Sequence, residues 1–227
     1  GTLGLVGESG CGKSTLGRCL VQLYQPDHGQ VLFKGMDINS LSRTERKQYR
    51  QSVQMIFQDP LESLNSRHTI EEILIEPFAI HNTGDRKWRL KKIQTLLELV
   101  GLPSNSGSRY PFEFSGGQRQ RIGIARAIAL GPELIVCDEA VSALDVSIQS
   151  QIINLLLDLQ AELNIAYLFI SHDLAVVKHF SDRVAVMYLG EIVETADSET
   201  IYKNQKHPYT NSLIDSIPVP DPHHKAK

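Results

Sequence analysis

The sequence is sparing in several things, and each shortage argues against a class of protein. Cysteine occurs only at Cys11, Cys19 and Cys137 in 227 residues. An odd, scattered trio supports neither a disulfide framework nor a metal knuckle, and it fits a reducing, cytosolic compartment. No apolar run approaches the ~18 residues that a membrane-spanning helix needs, and no stretch reads as a secretory signal. Neither sign of charge dominates: 23 Lys and Arg stand against 26 Asp and Glu, for a net charge of −3. That balance offers no electrostatic case for nucleic acid. Low-complexity tracts and internal repeats are also absent. What remains is ordinary for a globular chain, with 41% hydrophobic and 22% charged residues. The length allows one or two domains and a core that buries roughly 70–75% of the unfolded surface.

Against this plain background the stretch GESGCGKST at 7–15 stands out. Gly7, four residues, then Gly12, Lys13 and Ser14 match the phosphate-binding loop pattern G-x-x-x-x-G-K-S/T. Glycines let the backbone turn its N–H groups inward as an anion-binding nest, and a following helix adds its positive end at the same place. The flanks agree: TLGLV before the loop reads as a buried strand, and KSTLGRCLVQLY after it shows helical spacing. The loop residues Gly7, Glu8, Ser9, Gly10, Cys11, Gly12, Lys13, Ser14 and Thr15 are therefore candidate phosphate contacts. Lys13 is expected to reach the β- and γ-phosphates and the Ser14 hydroxyl to sit on Mg²⁺. Cys11 lies beside Lys13, where a helix end and a cation favour the thiolate, so its alkylation is expected to block nucleotide binding.

Further on, 29–35 and 52–58 read as strands, and from about 59 to 130 the pattern turns helical. TIEEILIEPFAI and RLKKIQTLLELVGL both place apolar residues at i, i+3, i+4, and Gly101-Leu102-Pro103 stops the second. Strands at 133–139 and 166–172, a helix at about 147–163, a short helix, and RVAVMYLG with EIVET complete the pattern. Strand alternating with helix predicts a parallel sheet covered on both faces, with the helical block as an insert. The final DPHHKAK reads as a frayed tail.

Two further segments carry chemistry. LIVCDE ends a buried strand in adjacent acids, which repel one another unless a cation lies between them. Beside a phosphate loop, Asp138 becomes a candidate Mg²⁺ ligand and Glu139 a candidate general base. FSGGQRQR places paired glycines where a helix former would be better, so Ser115, Gly116, Gly117 and Gln118 read as a second anion cradle at a helix start. The alternative there is an N-capped helix with a solvated basic face.

Taken in order, GESGCGKST, FSGGQ, CDEAVSALD and ISHD resemble the phosphate loop, signature, Walker B with D-loop, and switch histidine of ABC-type ATPases. The resemblance covers essentially the whole chain. It implies an α/β P-loop NTPase with a mainly parallel sheet, an α-helical subdomain inserted at about 59–130, and a C-terminal extension at about 198–227, all in one domain spanning 1–227. It implies ATP with Mg²⁺, Gln58 as the Q-loop glutamine serving catalysis and metal, His172 near the γ-phosphate, and Asp145 as the D-loop aspartate. It also implies a second ATPase domain, identical or related, paired head to tail so that each ATP lies between one phosphate loop and the other signature.

IFQDPLESLN, YPFEFSGGQRQR and HPYTNSLIDSIPVPDP narrow the resemblance to importers of oligopeptides, dipeptides, glutathione and nickel, most nearly the second ATPase half of glutathione importers. Permease subunits then follow as partners, contacted by residues 59–69, with a solute-binding protein acting indirectly. The chain is expected peripherally on the cytoplasmic face of the membrane, without nucleic acid. Phe112 and Ser66 depart from the subgroup, where histidine and proline are common. The chain opens at the strand before the phosphate loop, so an N-terminal piece carrying an adenine-stacking aromatic is expected to be missing and ATP binding weakened. The competing readings are a nickel importer, a soluble ABC-type ATPase acting on ribosomes or DNA, and a regulator without catalysis. The short insert lacks the sustained heptads of DNA-repair relatives, and no charged linker joins tandem domains.

Overall fold

A computed structural model describes residues 1–59 and 63–216. Residues 60–62 of the expected permease contact, and the tail with DPHHKAK, lie outside that range. The central sheet runs in the order β4-β5-β6-β1-β7-β8, from β1 (Thr2–Val6), β4 (Val53–Ile56), β5 (Leu134–Asp138), β6 (Ala166–Ile170), β7 (Arg183–Tyr188) and β8 (Glu191–Asp197). All neighbours are parallel except β7 and β8, which form an antiparallel pair. Covered on both faces, β5 and β6 need apolar residues throughout rather than alternation. Ile135, Val136, Cys137, Phe169 and Ile170 accordingly have no measurable exposure.

Parallel pairing has a consequence for chemistry. It brings the C-terminal ends of β4, β5, β6 and β1 to one edge of the sheet, where open α/β folds bind ligands. Residues far apart in sequence, Gly7, Gln58, Asp138 and His172, therefore lie at or just past the ends of strands at that edge.

Helix α1 (Lys13–Leu20) leaves the edge and lies close on the sheet: a Cβ at Gly17 would stand 2.9 Å from Ile170 Cδ1 and 3.0 Å from Val136 Cγ1. Between β4 and β5 come α3 (Ile70–Ile80), α4 (Arg86–Leu99) and α5 (Gly116–Ile128), with two short 3-10 turns. Thr69 and Glu72 form a reciprocal capping box on α3, and Asp85 caps α4. These helices share one apolar cluster with the sheet, running from Leu74, Phe78 and Leu97 through Ile122 to Ile135 and Phe169.

Several elements differ from the sequence expectation. The strand expected at 29–35 is a tight hairpin of β2 (Leu32–Phe33) and β3 (Met36–Asp37). Lys34 and Gly35 at its tip both take positive φ, 51° and 80°, as a two-residue hairpin turn requires. An unanticipated helix, α2 (Arg43–Ser52), takes Ser52 from the expected start of β4. After β8 the chain adds α8 (Ser198–Lys203) and α9 (Pro208–Asp215), while α6 (Val146–Leu163) and α7 (Leu174–Phe180) occupy the expected helical stretches.

Candidate functional site

The loop after β1 is shaped by glycines at two places where nothing else fits. Gly7 has φ 153°, and a Cβ there would stand 2.2 Å from the Met187 carbonyl oxygen on β7. Gly12 caps α1 with φ 106° and offers no side chain to its free amides, so they face outward as donors. Lys13 is buried, and its Nζ donates to the carbonyls of Gly7 (2.9 Å) and Glu8 (2.8 Å). Glu8, Ser9, Gly10 and Thr15 are exposed. Cys11 lies beside Lys13, its Sγ 3.8 Å from Nζ, and its side chain packs with Leu5, Met55, Val136 and Met187 in the core under the loop. The small thiol fills space there, and the Cys11 amide donates to the Glu8 carbonyl at 3.3 Å.

Ser14 ties this loop to the end of β5, its Oγ donating to Asp138 Oδ1 at 2.6 Å. A hydroxyl and a buried carboxylate are hard oxygen donors of the kind Mg²⁺ takes beside phosphates, so the pair fits that ion. Burial and the neighbouring Asp138 carboxylate push the Cys137 thiol upward, leaving it inert in the strand. The adjacent acids resolve their repulsion by facing different partners. The backbone at Glu139 turns to φ 49°, and its Oε1 lies 3.4 Å from His172 Nδ1. His172 is exposed, while the Glu139 side chain is only 19% exposed, giving a sheltered carboxylate beside an accessible imidazole.

Gln58 joins the same group through a residue the sequence reading missed. Its Nε2 donates to Ser142 Oγ (3.3 Å), and Ser142 Oγ donates to the Glu139 carbonyl (3.0 Å). The loop after β4 is thereby coupled to the turn after β5. Nothing local marks Ser142; its place within AVSALD was the available signal.

The signature residues stand apart. Ser115 and Gln118 form a capping box on α5, with Ser115 Oγ accepting from Gln118 N (3.3 Å) and Gln118 Oε1 accepting from Ser115 N (2.9 Å). A Cβ at Gly117 would meet Ile148 Cγ2 on α6 at 2.6 Å, so close helix packing also demands this glycine. Arg119, Arg121 and Arg126 donate to the carbonyls of Phe114, Val100 and Ser63 at 2.6, 2.7 and 2.5 Å. The arginines thus tie α5 to its surroundings, unlike a solvated basic face. Asp145 starts α6 without a side-chain cap bond. Among the described residues no hydrogen bond or ion pair connects Ser115, Gly116, Gly117, Gln118 or Asp145 to the phosphate loop.

Comparison with known proteins decides the family. A profile described as ABC transporter matches residues 1–142, and one described as oligopeptide/dipeptide transporter, C-terminal region, matches 193–227. The chain belongs to the ATP-binding proteins of ABC transporters. As an ABC ATP-binding protein it is an ATPase with the P-loop α/β fold. It is 58% identical over 219 residues to the oligopeptide transport ATP-binding protein AppF of Bacillus subtilis, covering 96% of this chain and 67% of that one. Against the glutathione import ATP-binding protein GsiA of Salmonella paratyphi A it is 55% identical over 221 residues, 97% of this chain and 36% of that one. Among solved structures, cbiO1 of Clostridium perfringens superposes with a TM-score of 0.79 at 26% identity, over 90% of this chain and 80% of that one. The ATP-binding cassette MJ0796, a post-hydrolysis dimer with ADP and Pi, gives 0.76 at 28% identity, over 87% and 85%.

In this ABC protein a cleft shares Gln58 and Asp138 with the site. The cleft, of about 1080 Å³, opens between Phe57 and Gln58 after β4, Pro77 and Ile80 on α3, and Arg126 on α5. Burial lowers the Arg126 pKa, as desolvation of a cation must. The cleft reaches Asp138 on its inner wall. Among the described residues no helix is long and apolar enough to cross a membrane.

Proposed function

We propose that the chain is the ATP-hydrolysing subunit of an importer for peptides or a peptide-like solute such as glutathione. The printed names of AppF and GsiA, and the profile matching 193–227, support the solute class. The observation that carries the catalytic reading is the meeting of Ser14 with Asp138 at 2.6 Å and Glu139 with His172 at 3.4 Å on one sheet edge.

In this reading the loop amides from Ser9 to Thr15 and the Lys13 ammonium hold the β- and γ-phosphates. Ser14, Asp138 and Gln58 hold Mg²⁺, which when bound neutralises charge on the phosphate oxygens. Glu139 accepts the proton of the attacking water from a position largely sheltered from solvent. His172 is placed by Glu139 to donate toward the γ-phosphate. Ser115, Gly116, Gly117, Gln118 and Asp145, unconnected to their own phosphate loop, serve the ATP of a second domain, identical or related. The helical subdomain at 59–130 and the cleft beside Gln58 receive permease subunits, a solute-binding protein acts from beyond them, and the chain sits peripherally on the cytoplasmic face of the membrane.

Glu139→Gln tests the reading. ATP turnover should fall by about 10²–10⁴-fold while the ATP dissociation constant stays put. An unchanged rate removes Glu139 from the role.

A further inference from the structure

The region after β8 touches the phosphate loop at one point and the helix that follows His172 at another. Tyr209 on α9 accepts a hydrogen bond through its hydroxyl from the Glu8 backbone N–H, at 2.9 Å and across 201 residues of chain. Tyr202 on α8 donates its hydroxyl to the Leu174 carbonyl at 2.5 Å, on the helix that follows His172. Both tyrosines lie in the segment matched by the C-terminal profile.

Tyr209 is held firmly. Pro208 is the first residue of α9, where its fixed φ suits the helix start. His207 Nδ1 accepts from the Tyr209 N–H at 3.2 Å. Glu194 on β8 accepts from the amides of Lys206 (2.8 Å) and His207 (3.0 Å). The Tyr209 ring lies 4.2 Å, centroid to centroid, from that of Tyr188 at the end of β7.

We propose that Tyr209 is a positioning residue for the phosphate loop, and that the C-terminal segment is a strap coupling nucleotide occupancy to its own docking. The inference rests on the reading that 7–15 binds ATP. Glu8 begins the exposed limb of the loop. Its carbonyl accepts from Lys13 Nζ and from the Cys11 amide, and its N–H is taken by Tyr209. A phosphate that draws Lys13 away removes one hold on Glu8 and leaves Tyr209 fixing its N–H. A glycine-rich loop loses much entropy on ordering, so an anchor there raises affinity by preorganisation. By reciprocity, bound nucleotide must tighten the docking of α9.

The test uses the full chain with Mg-ATP and its fluorescent trinitrophenyl analogue. Tyr209→Phe removes the hydroxyl and keeps the ring. The ATP dissociation constant and KM should both rise about 3- to 10-fold, with kcat at saturating ATP within about two-fold, as for loss of one hydrogen bond. Tyr209→Ala should match Tyr209→Phe. Mg-ATP should slow amide exchange across 206–216 in the parent and not in Tyr209→Phe. A parent-like dissociation constant in Tyr209→Phe overturns the proposal, whether or not Tyr209→Ala is impaired, because ring packing alone is then at work. Lys13→Ala separates the two ideas. If it loses ATP while Tyr209→Phe does not, only the strap falls; if it binds ATP normally, the reading of the loop itself falls.

Discussion

Replacing Gly117 by alanine sets two known effects against each other. Alanine is the better helix former by about 1 kcal/mol, so an exposed site would gain stability. Here the new Cβ would lie 2.6 Å from Ile148 Cγ2. That methyl is fixed to the Cβ of a β-branched residue in the first turn of α6, and such residues keep one χ1 rotamer in a helix. Moving it means an off-rotamer side chain or a shift of one helix against the other, a class of change that costs about 1–3 kcal/mol. The net expectation is a loss of roughly 0–2 kcal/mol for Gly117→Ala. In an Ile148→Ala background the obstacle is gone, and the same change should gain up to about 1 kcal/mol. Urea melts of the four proteins give the coupling as differences in midpoint. Coupling near zero, or a gain from Gly117→Ala alone, would refute the packing argument. ATPase rates on the double variant add a second reading. Restored stability without restored activity would show that phosphate, and not only Ile148, needs that glycine.

Other outcomes follow from single contacts. Asp85→Ala removes the oxygen that caps α4 by accepting from Trp88 N–H at 2.8 Å; it should cost about 1 kcal/mol and about 2–4 °C in calorimetry, and Asp85→Asn much less. Asp138→Asn should raise the Mg²⁺ concentration for half-maximal ATPase by about 10-fold or more, read from metal titrations. Glu194 titrates below the usual carboxylate range: burial works against its charge, and the hydrogen bonds it accepts, those from the Lys206 and His207 amides among them, outweigh burial. Its contribution is therefore whole above the ordinary range and lost as pH falls through the lowered value. The urea midpoints of the parent and Glu194→Gln should differ at neutral pH and converge on acidification. Cys11, packed under the loop, should react with a bulky maleimide only at the rate of local opening, tested by mass spectrometry against Cys19, which is more exposed.

What could be read from the sequence was local. The phosphate loop declares itself because its glycines, lysine and serine sit within eight residues of one another. β5 and β6 were legible because strands buried on both faces must be apolar throughout. α2 was not, because RTERKQYRQS buries only Tyr49 and shows no apolar stripe. The missed signal was its capping box, with Ser42 and Glu45 bonded both ways. Contacts set by topology left no trace in any short window. The bridge from Gln58 through Ser142 to Glu139 exists because parallel strands bring their loops to one edge, and Tyr209 reaches Glu8 because the chain returns through two helices after the antiparallel β8. Gly117 illustrates a subtler gap: the pattern named the glycine, and only packing revealed the Ile148 methyl against it.

The central claim is that ATP is cleaved at a seam between two domains, each supplying what the other lacks. The most direct measurement is a structure of the Glu139→Gln assembly loaded with Mg-ATP. The account predicts the signature serine of the opposite domain at about 3 Å, hydrogen-bonding distance, from the γ-phosphate held by Lys13. A loaded assembly with Ser115 remote from every γ-phosphate would contradict it.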